Sequence, residues 1–377
     1  MKLLATAFTF VTGMLCAADF HPNLQVAVAP RWSAEIVADL SDAQTRGTQM
    51  WPGSLMHSNR AELMFLDNDH LLVGEAVLTR ELSSRKDSEI SSAYRLHAMV
   101  LDANSGRLLL SKDWGTPAQD WSIHATRAGV LVRTGNLLKL YSGDFMIVQN
   151  IELRELNRYE STSISVSTSR NTVMVHRLSQ KSNVSHFDVF DGTTLGKKLS
   201  WDQNPPLYRA YSISDTEIAA AQFDQRAIIL SEFGSNKWRV IPNSEGTCVN
   251  LPTLVTSNIL ANGCQELSLI STGGQILMSG SSTKDTTSGK ISVAQDGGFA
   301  VVSLDKTEIK KHIFSEPSIL LRSTTIAVYN LSLKKRVLTV EVAPLPRVDY
   351  DFAVSPDGSM LAVLTDRMVS VYSIPSS

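Results

Sequence analysis

The stretch Ala98-Met99-Val100-Leu101-Asp102-Ala103-Asn104-Ser105-Gly106-Arg107 reads as the end of a strand, a tight turn and the start of the next strand. Apolar residues run up to Asp102, and Asn, Ser and Gly then supply turn chemistry. The same ending recurs down the chain. A small polar residue closes it at Asp102, Ser142, Asp191, Ser231, Ser271, Asn330 and Ser373, with gaps of 40, 49, 40, 40, 59 and 43. One residue earlier stand Leu101, Tyr141, Phe190, Leu230, Ile270, Tyr329 and Tyr372. Two earlier stand Val100, Leu140, Val189, Ile229, Leu269, Val328 and Val371. Four earlier stand Ala98, Leu138, Phe187, Ala227, Leu267, Ile326 and Val369. All of these are apolar, whereas the residue three earlier is mixed: Met99, Lys139, Asp188, Ile228, Ser268, Ala327 and Ser370. Positions two and four earlier share one face of a strand and position three lies opposite. The pattern therefore specifies seven strands in one register.

Two more strands precede each of the seven. The clearest pairs are 62–66 with 71–74, 163–167 with 172–176, and 351–355 with 360–364. A fourth strand follows six of the seven, for example at 107–110, 145–151, 275–278 and 336–340. Four strands in a repeat of about 45 residues is the layout of a β-propeller blade. The expected fold is all-β, a seven-bladed β-propeller. Its last blade lacks a fourth strand because the sequence stops at Ser377. A strand from the N-terminal segment, 34–40 or alternatively 24–29, is expected to close the ring and cover that edge.

Ser355-Pro356-Asp357-Gly358-Ser359-Met360-Leu361-Ala362-Val363 resembles the S-P-D-G-x-x-L-A-V hairpin of bacterial secreted WD40-like and YVTN-type propellers. Asp102 to Arg107 is similar to the D-x-x-T/S-G-K/R turn joining their third and fourth strands, and Asp191-Gly192-Thr193-Thr194 is a looser copy. The resemblance implies a propeller over residues 58–377 and names no ligand. The Trp-Asp ending of true WD40 third strands is missing, because Trp201-Asp202 follows a fourth strand instead. The polar tetrad of eukaryotic WD40 blades is therefore not expected.

Lys and Arg number 35 against 37 Asp and Glu, a net charge of -2, which excludes a nucleic-acid binder that works by bulk charge. The chain opens Met1-Lys2, then runs apolar from Leu3 to Cys16 and reaches Ala17-Ala18-Asp19. That run is too short to span a bilayer of about 30 Å. Residues 1–18 read as a signal peptide cleaved after Ala18, followed by an N-terminal segment 19–57 and the propeller. A lipid anchor at Cys16 is the alternative, disfavoured by Leu15 before it. No transmembrane segment is expected after cleavage, and the product is expected to be secreted or periplasmic and monomeric. Cleavage leaves Cys248 and Cys264, which an oxidising compartment would join as a disulfide unless both stay as buried thiols. Cys248 precedes the first strand of the fifth repeat, and Cys264 is expected to begin its third.

No G-x-S-x-G, H-E-x-x-H, P-loop or C-x-x-C-H motif occurs. His97, His124, His176 and His186 fall on expected strands, but no two sit at close ligand spacing on one element, so packed or surface histidines are expected rather than metal ligands. Asp67-Asn68-Asp69 resembles a calcium-loop fragment and stands where a turn is needed. A quinone cofactor would require a tryptophan nearer to Asp102 than Trp114, so no cofactor is expected. Trp114 and Trp121 read as packing residues, with a ligand platform as the alternative.

Two insertions occupy the same slot, between second and third strands. Residues 78–94 carry Arg80, Arg85 and Lys86, and residues 305–322 carry Lys306, Lys310, Lys311 and His312. Both should stand on one face, flanking the seventh blade, as interaction loops. The expected function is extracytoplasmic binding of a protein or small ligand without a catalytic set. The alternative is a propeller enzyme, lactonase-like or another hydrolase, with residues converging on the channel.

Overall fold

Short apolar runs broken every few residues by Gly, Asn, Asp and Ser favour strands and tight turns over long helices. A computed structural model describes residues 29–36, 61–79, 93–114, 121–154, 160–179, 181–221, 227–235, 237–242, 253–256, 259–264, 266–271, 275–279, 286–310, 318–342, 350–365 and 368–375. Among the described residues the strands form seven four-stranded antiparallel sheets. Sheet one consists of Ala61–Phe65, His70–Thr79, Ala93–Asp102 and Leu108–Asp113. Sheets two to five occupy 121–152, 160–203, 208–242 and 253–279. Sheet six consists of Thr286–Val293, Phe299–Lys310, Ser318–Asn330 and Lys335–Val342. Sheet seven takes Tyr350–Val354, Met360–Thr365 and Met368–Ser373 from the end of the chain and Trp32–Glu35 from its beginning.

The closing strand starts two residues before the expected stretch. Trp32 lies opposite Val371 and Glu35 opposite Met368, and the Ser33 and Ser370 hydroxyls meet at 2.8 Å. Trp32 also ties sheet seven to sheet one. Its indole N–H donates to the Ala103 carbonyl at 2.9 Å, and its ring lies against Gly106, where a Cβ would come within 2.6 Å.

Apolar clusters fill the gaps between sheets. Leu63, Phe65, Met99 and Leu101 of sheet one pack with Ala362, Val369 and Val371 of sheet seven. Six further clusters each join two sheets consecutive in the chain. Contacts thus run round a ring, and the fold is an all-β propeller. The repeated register explains the clusters. Residues two and four before each third-strand ending face the following sheet, as Ala98 and Val100 do toward sheet two and Ile326 and Val328 toward sheet seven. The residue one before faces the preceding sheet, as Leu101, Phe190 and Tyr329 do.

Sheet four corrects the expected register by one residue. Ile228 and Leu230 face sheet five, whereas Ile229 faces sheet three. The residue equivalent to Asp102 is Glu232, opposite Glu217, rather than Ser231. Ala227-Ile228-Ile229-Leu230 is apolar throughout, so period-two alternation carries no phase there.

The two insertions are strand rather than loop where described. Leu78 and Thr79 continue the second strand of sheet one, and Ala93 and Tyr94 begin its third. Residues 305–310 and 318–322 likewise belong to the middle strands of sheet six. Alternation such as Lys306-Thr307-Glu308-Ile309-Lys310 suits a hairpin, but its charged residues look like loop sequence. Cys264 ends the second strand of sheet five, Ile259–Cys264, instead of beginning the third. A single residue, Gln265, separates those strands, so the sequence shows no gap between them.

The turns keep the ring compact. Gly106, Phe145, Leu195, Gly234 and Lys334 take φ between 51° and 73° at the end of third-to-fourth-strand turns. In four of these turns the pairing slips by one residue beside it, the hairpin geometry of a type I turn followed by a left-handed residue.

Candidate interaction face

Alternating strand direction puts all second-to-third-strand hairpins on one face and the other intra-sheet turns on the opposite face. Sheet seven's hairpin ends low, at the pair Thr365 and Met368. Its neighbours do not. Glu75 of sheet one is level with Thr365, and the strand continues four residues further to Thr79, about 13 Å at 3.3 Å per residue. In sheet six Leu304 is level with Thr365, and the strand continues to Lys310, about 20 Å further. Two β arms therefore flank a low saddle over sheet seven. The sheet-six arm bulges between Lys306 and Thr307 and carries an exposed Glu308–Arg322 ion pair. The saddle itself shows Met368, 40% exposed, beside Thr365.

The floor of the saddle is a polar network at the inner edges of sheets six, seven and one. Innermost strands have a free edge whose N–H groups need acceptors. Asp351 supplies one: its Oδ2 accepts the Leu63 N–H of sheet one at 2.8 Å. Its Oδ1 takes the Lys290 ammonium of sheet six at 2.6 Å. Lys290 also donates to the Phe352 carbonyl at 3.1 Å. Glu62, at the equivalent position in sheet one, accepts the Ile123 N–H of sheet two at 2.7 Å. Between sheets six and seven, Asp305 accepts the Tyr350 hydroxyl at 2.8 Å and the Thr324 hydroxyl at 2.9 Å. Burial pushes the Tyr350 phenol well above its ordinary range, so it serves as a donor.

The opposite mouth is bridged by a side chain. Arg170, in a turn of sheet three at φ 64°, reaches past sheet two and donates to the Phe65 carbonyl at 2.9 Å and to the Leu66 carbonyl. Burial lowers the pKa of its guanidinium, and Asp67 opposes that shift. Asn68 accepts the Asp357 N–H at 3.1 Å, and Asp215 accepts the Ser167 and Ser169 hydroxyls at 2.7 and 2.6 Å. Asp67 closes a plain turn, accepting the Asp69 and His70 N–H groups at 2.8 Å each. Burial disfavours its ionisation, but hydrogen bonds from His70 and Asp69 together outweigh burial and hold its pKa below the ordinary value.

The four strand histidines do not converge. His124 meets Ser122 at 3.0 Å. His176 stacks on Phe187 at 4.6 Å, continuing through Trp201 to Phe233, and burial lowers its pKa to about 4. His97 sits between Asp113 at 2.6 Å and Ser111 at 3.1 Å. His186 sits between Asp202 at 2.6 Å and Ser200 at 3.4 Å. Among the described residues no group of three or more His, Cys, Asp or Glu is placed to hold a metal ion. The two ladders share one spacing, histidine, then serine 14 and aspartate 16 residues later, and they are 89 residues apart, the distance from Asp102 to Asp191. Superposing repeats on those turns would have revealed them in the sequence.

Of the residues singled out for interaction, Lys306 is exposed on the sheet-six arm and Lys310 ends the same strand, its side chain lying outside the described residues. Arg80, Arg85, Lys86, Lys311 and His312 lie outside the described residues, as do Cys248 and the side chain of Cys264. Trp114 and Trp121 are buried, and Trp114 stacks on Tyr141 at 5.0 Å, so both pack between sheets one and two rather than forming a platform. Among the described residues no helix is long and apolar enough to cross a membrane.

No family model matches the chain, and no curated protein matches its sequence. Solved structures do match. A chain in the crystal structure of the Mitotic Checkpoint Complex is similar at 12% identity and TM-score 0.52, covering 99% of this chain and 99% of that one. The WD40 domain of Neurospora crassa Pan2 is similar at 10% identity and TM-score 0.51, covering 85% of this chain and 90% of that one. Identities this low speak to architecture, and the chain has the fold of a WD40 β-propeller.

Proposed function

We propose that this chain is an exported scaffold whose seven sheets are the blades of one closed ring, and that it holds a partner protein in the saddle between its two β arms. The carrying observation is the pair of arms: the hairpins of sheets one and six extend on one face while that of sheet seven between them stays short. A rigid ring can hold such arms at fixed separation, which lowers the ordering cost of binding. The sequence of the arms and of the segments joining their strands, with Lys306, Glu308, Lys310, Lys311 and His312 on one side and Arg80, Glu81, Arg85, Lys86 and Glu89 on the other, would give mixed-charge contacts. One structurally similar chain belongs to a multiprotein complex, which fits a scaffold. Export rests on the opening residues, Met1 to Asp19, and on the Ser355–Val363 hairpin that resembles bacterial secreted propellers.

A photo-crosslinking residue at Lys306 or Glu308, compared with one at Asp144 on the opposite face, tests this reading in the native host. Adducts to a discrete partner from the arm positions, and none from Asp144, are expected. Adducts confined to Asp144 would contradict it. N-terminal sequencing of the exported protein should begin at Asp19.

A further inference from the structure

Sheet one carries a serine, a histidine and an aspartate in a hydrogen-bonded row outside the saddle. His97 Nδ1 lies 2.6 Å from Asp113 Oδ1, and its Nε2 lies 3.1 Å from Ser111 Oγ. An ionised carboxylate only accepts, so a neutral imidazole keeps its proton on Nδ1 and turns a bare Nε2 toward the serine hydroxyl. We propose that Ser111 is a nucleophile toward small carboxylic esters, with His97 as its base and Asp113 as the residue that orients the base.

The surroundings fit that chemistry. Asp113 lies directly opposite His97 and Ser111 opposite Met99, so all three share the side of sheet one that faces sheet seven. On sheet seven, Trp32 and Ala34 lie opposite Val371 and Val369, whose side chains face sheet one. Sheet seven thus presents an apolar wall to the side of sheet one that carries the polar row, suited to an ester with an apolar acyl group. Ser111 and Asp113 are exposed, so a substrate can enter. Trp114 N–H donates inward to the Leu96 carbonyl at 2.8 Å. N–H directions alternate along a strand, so those of Asp113 and Ser111 point to the free outer edge of the sheet. The Ser111 N–H is a donor beside its own hydroxyl, placed to meet negative charge on the acyl oxygen.

In the reaction, Ser111 Oγ bonds to the acyl carbon while its proton passes to His97 Nε2. The acyl–oxygen bond then breaks, and the leaving alcohol takes that proton. Water repeats the sequence on the acyl-serine, releasing the carboxylic acid and restoring both side chains.

The second row, in sheet three, is a built-in control. Ser200 Oγ donates to Asp188 Oδ1 at 2.8 Å and stands 3.4 Å from His186 Nε2, which is itself 3.3 Å from Asp188. The Ser200 hydroxyl is committed to a carboxylate and should not react.

The test is labelling of the full chain with an alkyl fluorophosphonate, mapped by peptide mass spectrometry, alongside hydrolysis of p-nitrophenyl acetate. One adduct on Ser111 is expected. Ser111→Ala should abolish it, His97→Ala should slow it on the order of 100-fold, and Ser200→Ala should leave it unchanged. Ser111→Cys adds a readout that does not depend on the serine variants: its alkylation by iodoacetamide should be faster with His97 than with alanine there. An absent adduct, an adduct elsewhere only, or undiminished labelling in His97→Ala would overturn the proposal.

Discussion

Replacing Asp351 should destabilise the ring far more than replacing the lysine bonded to it. Asp351 has a side chain 11% exposed and holds three sheets together, through Lys290 of sheet six and the Leu63 N–H of sheet one. Asp351→Ala strands the Leu63 and Phe352 N–H donors at buried positions and removes three charge-assisted bonds, the third from Lys290. A buried donor left unpaired costs about 1–3 kcal/mol and a hydrogen bond to a charged group contributes about 1.5–3, so about 3–4 kcal/mol is expected after partial relaxation. Lys290 is different. Its side chain is 44% exposed, so the ion pair is discounted for solvent screening, and removing it leaves a carboxylate that still accepts the Leu63 and Phe352 N–H groups. Lys290→Ala should cost about 1 kcal/mol or less, part of it from lost contact with the Phe352 ring, 5.4 Å from the ammonium. The double variant should resemble Asp351→Ala alone. Urea unfolding followed by tryptophan fluorescence gives all three values. Equal costs for the two single variants, or less than about 0.5 kcal/mol for Asp351→Ala, would refute the reasoning, because the stabilisation would then reside in the ion pair or be negligible.

Other outcomes follow from single residues. His176 should make the protein acid-sensitive. With a folded pKa of about 4 against 6.5 unfolded, the folded chain binds fewer protons, so stability is full above pH 6.5 and falls as pH drops toward 4, by up to about 3 kcal/mol; His176→Gln should flatten that limb of a stability–pH curve. Gly358→Ala should cost about 2–4 kcal/mol, because φ is 71° and a Cβ would meet the Phe299 ring at 2.3 Å, whereas Gly143→Ala, with nothing within 4 Å, should be nearly neutral by thermal melting.

Much of the ring was readable from its third strands. An apolar residue two and four places before a small polar turn former faces the following sheet in sheets one, two, three, six and seven, because a half-buried strand must alternate. Where the apolar run was unbroken, at residues 227–230, the sequence held no phase and the register slipped. The arms were visible as extra length but not as strand, since exposed charged residues such as Lys306 and Glu308 look like loop sequence. The floor was not readable at all. Asp351, Lys290 and Glu62 look like ordinary surface charges, and only closure of the ring brings Asp351 to Leu63, 288 residues away. The serine-histidine-aspartate rows lay open to a repeat-by-repeat comparison, but their geometry depends on cross-strand pairing that spacing alone does not specify.

The pairing of Trp32–Glu35 with Met368–Ser373 is what makes the ring, and everything proposed for its face depends on it. Ser33→Cys combined with Ser370→Cys tests it directly, because these residues lie opposite each other with hydroxyls 2.8 Å apart. Directly opposed residues on antiparallel strands lie about 4.5–5.5 Å apart between Cα atoms, within disulfide range. Mild oxidation should link the peptides carrying positions 33 and 370, and the crosslink across so long a loop should stabilise the protein by roughly 5 kcal/mol in urea. Failure of this pair to link, or linkage that lowers stability, would contradict closure of the ring by its N-terminal strand.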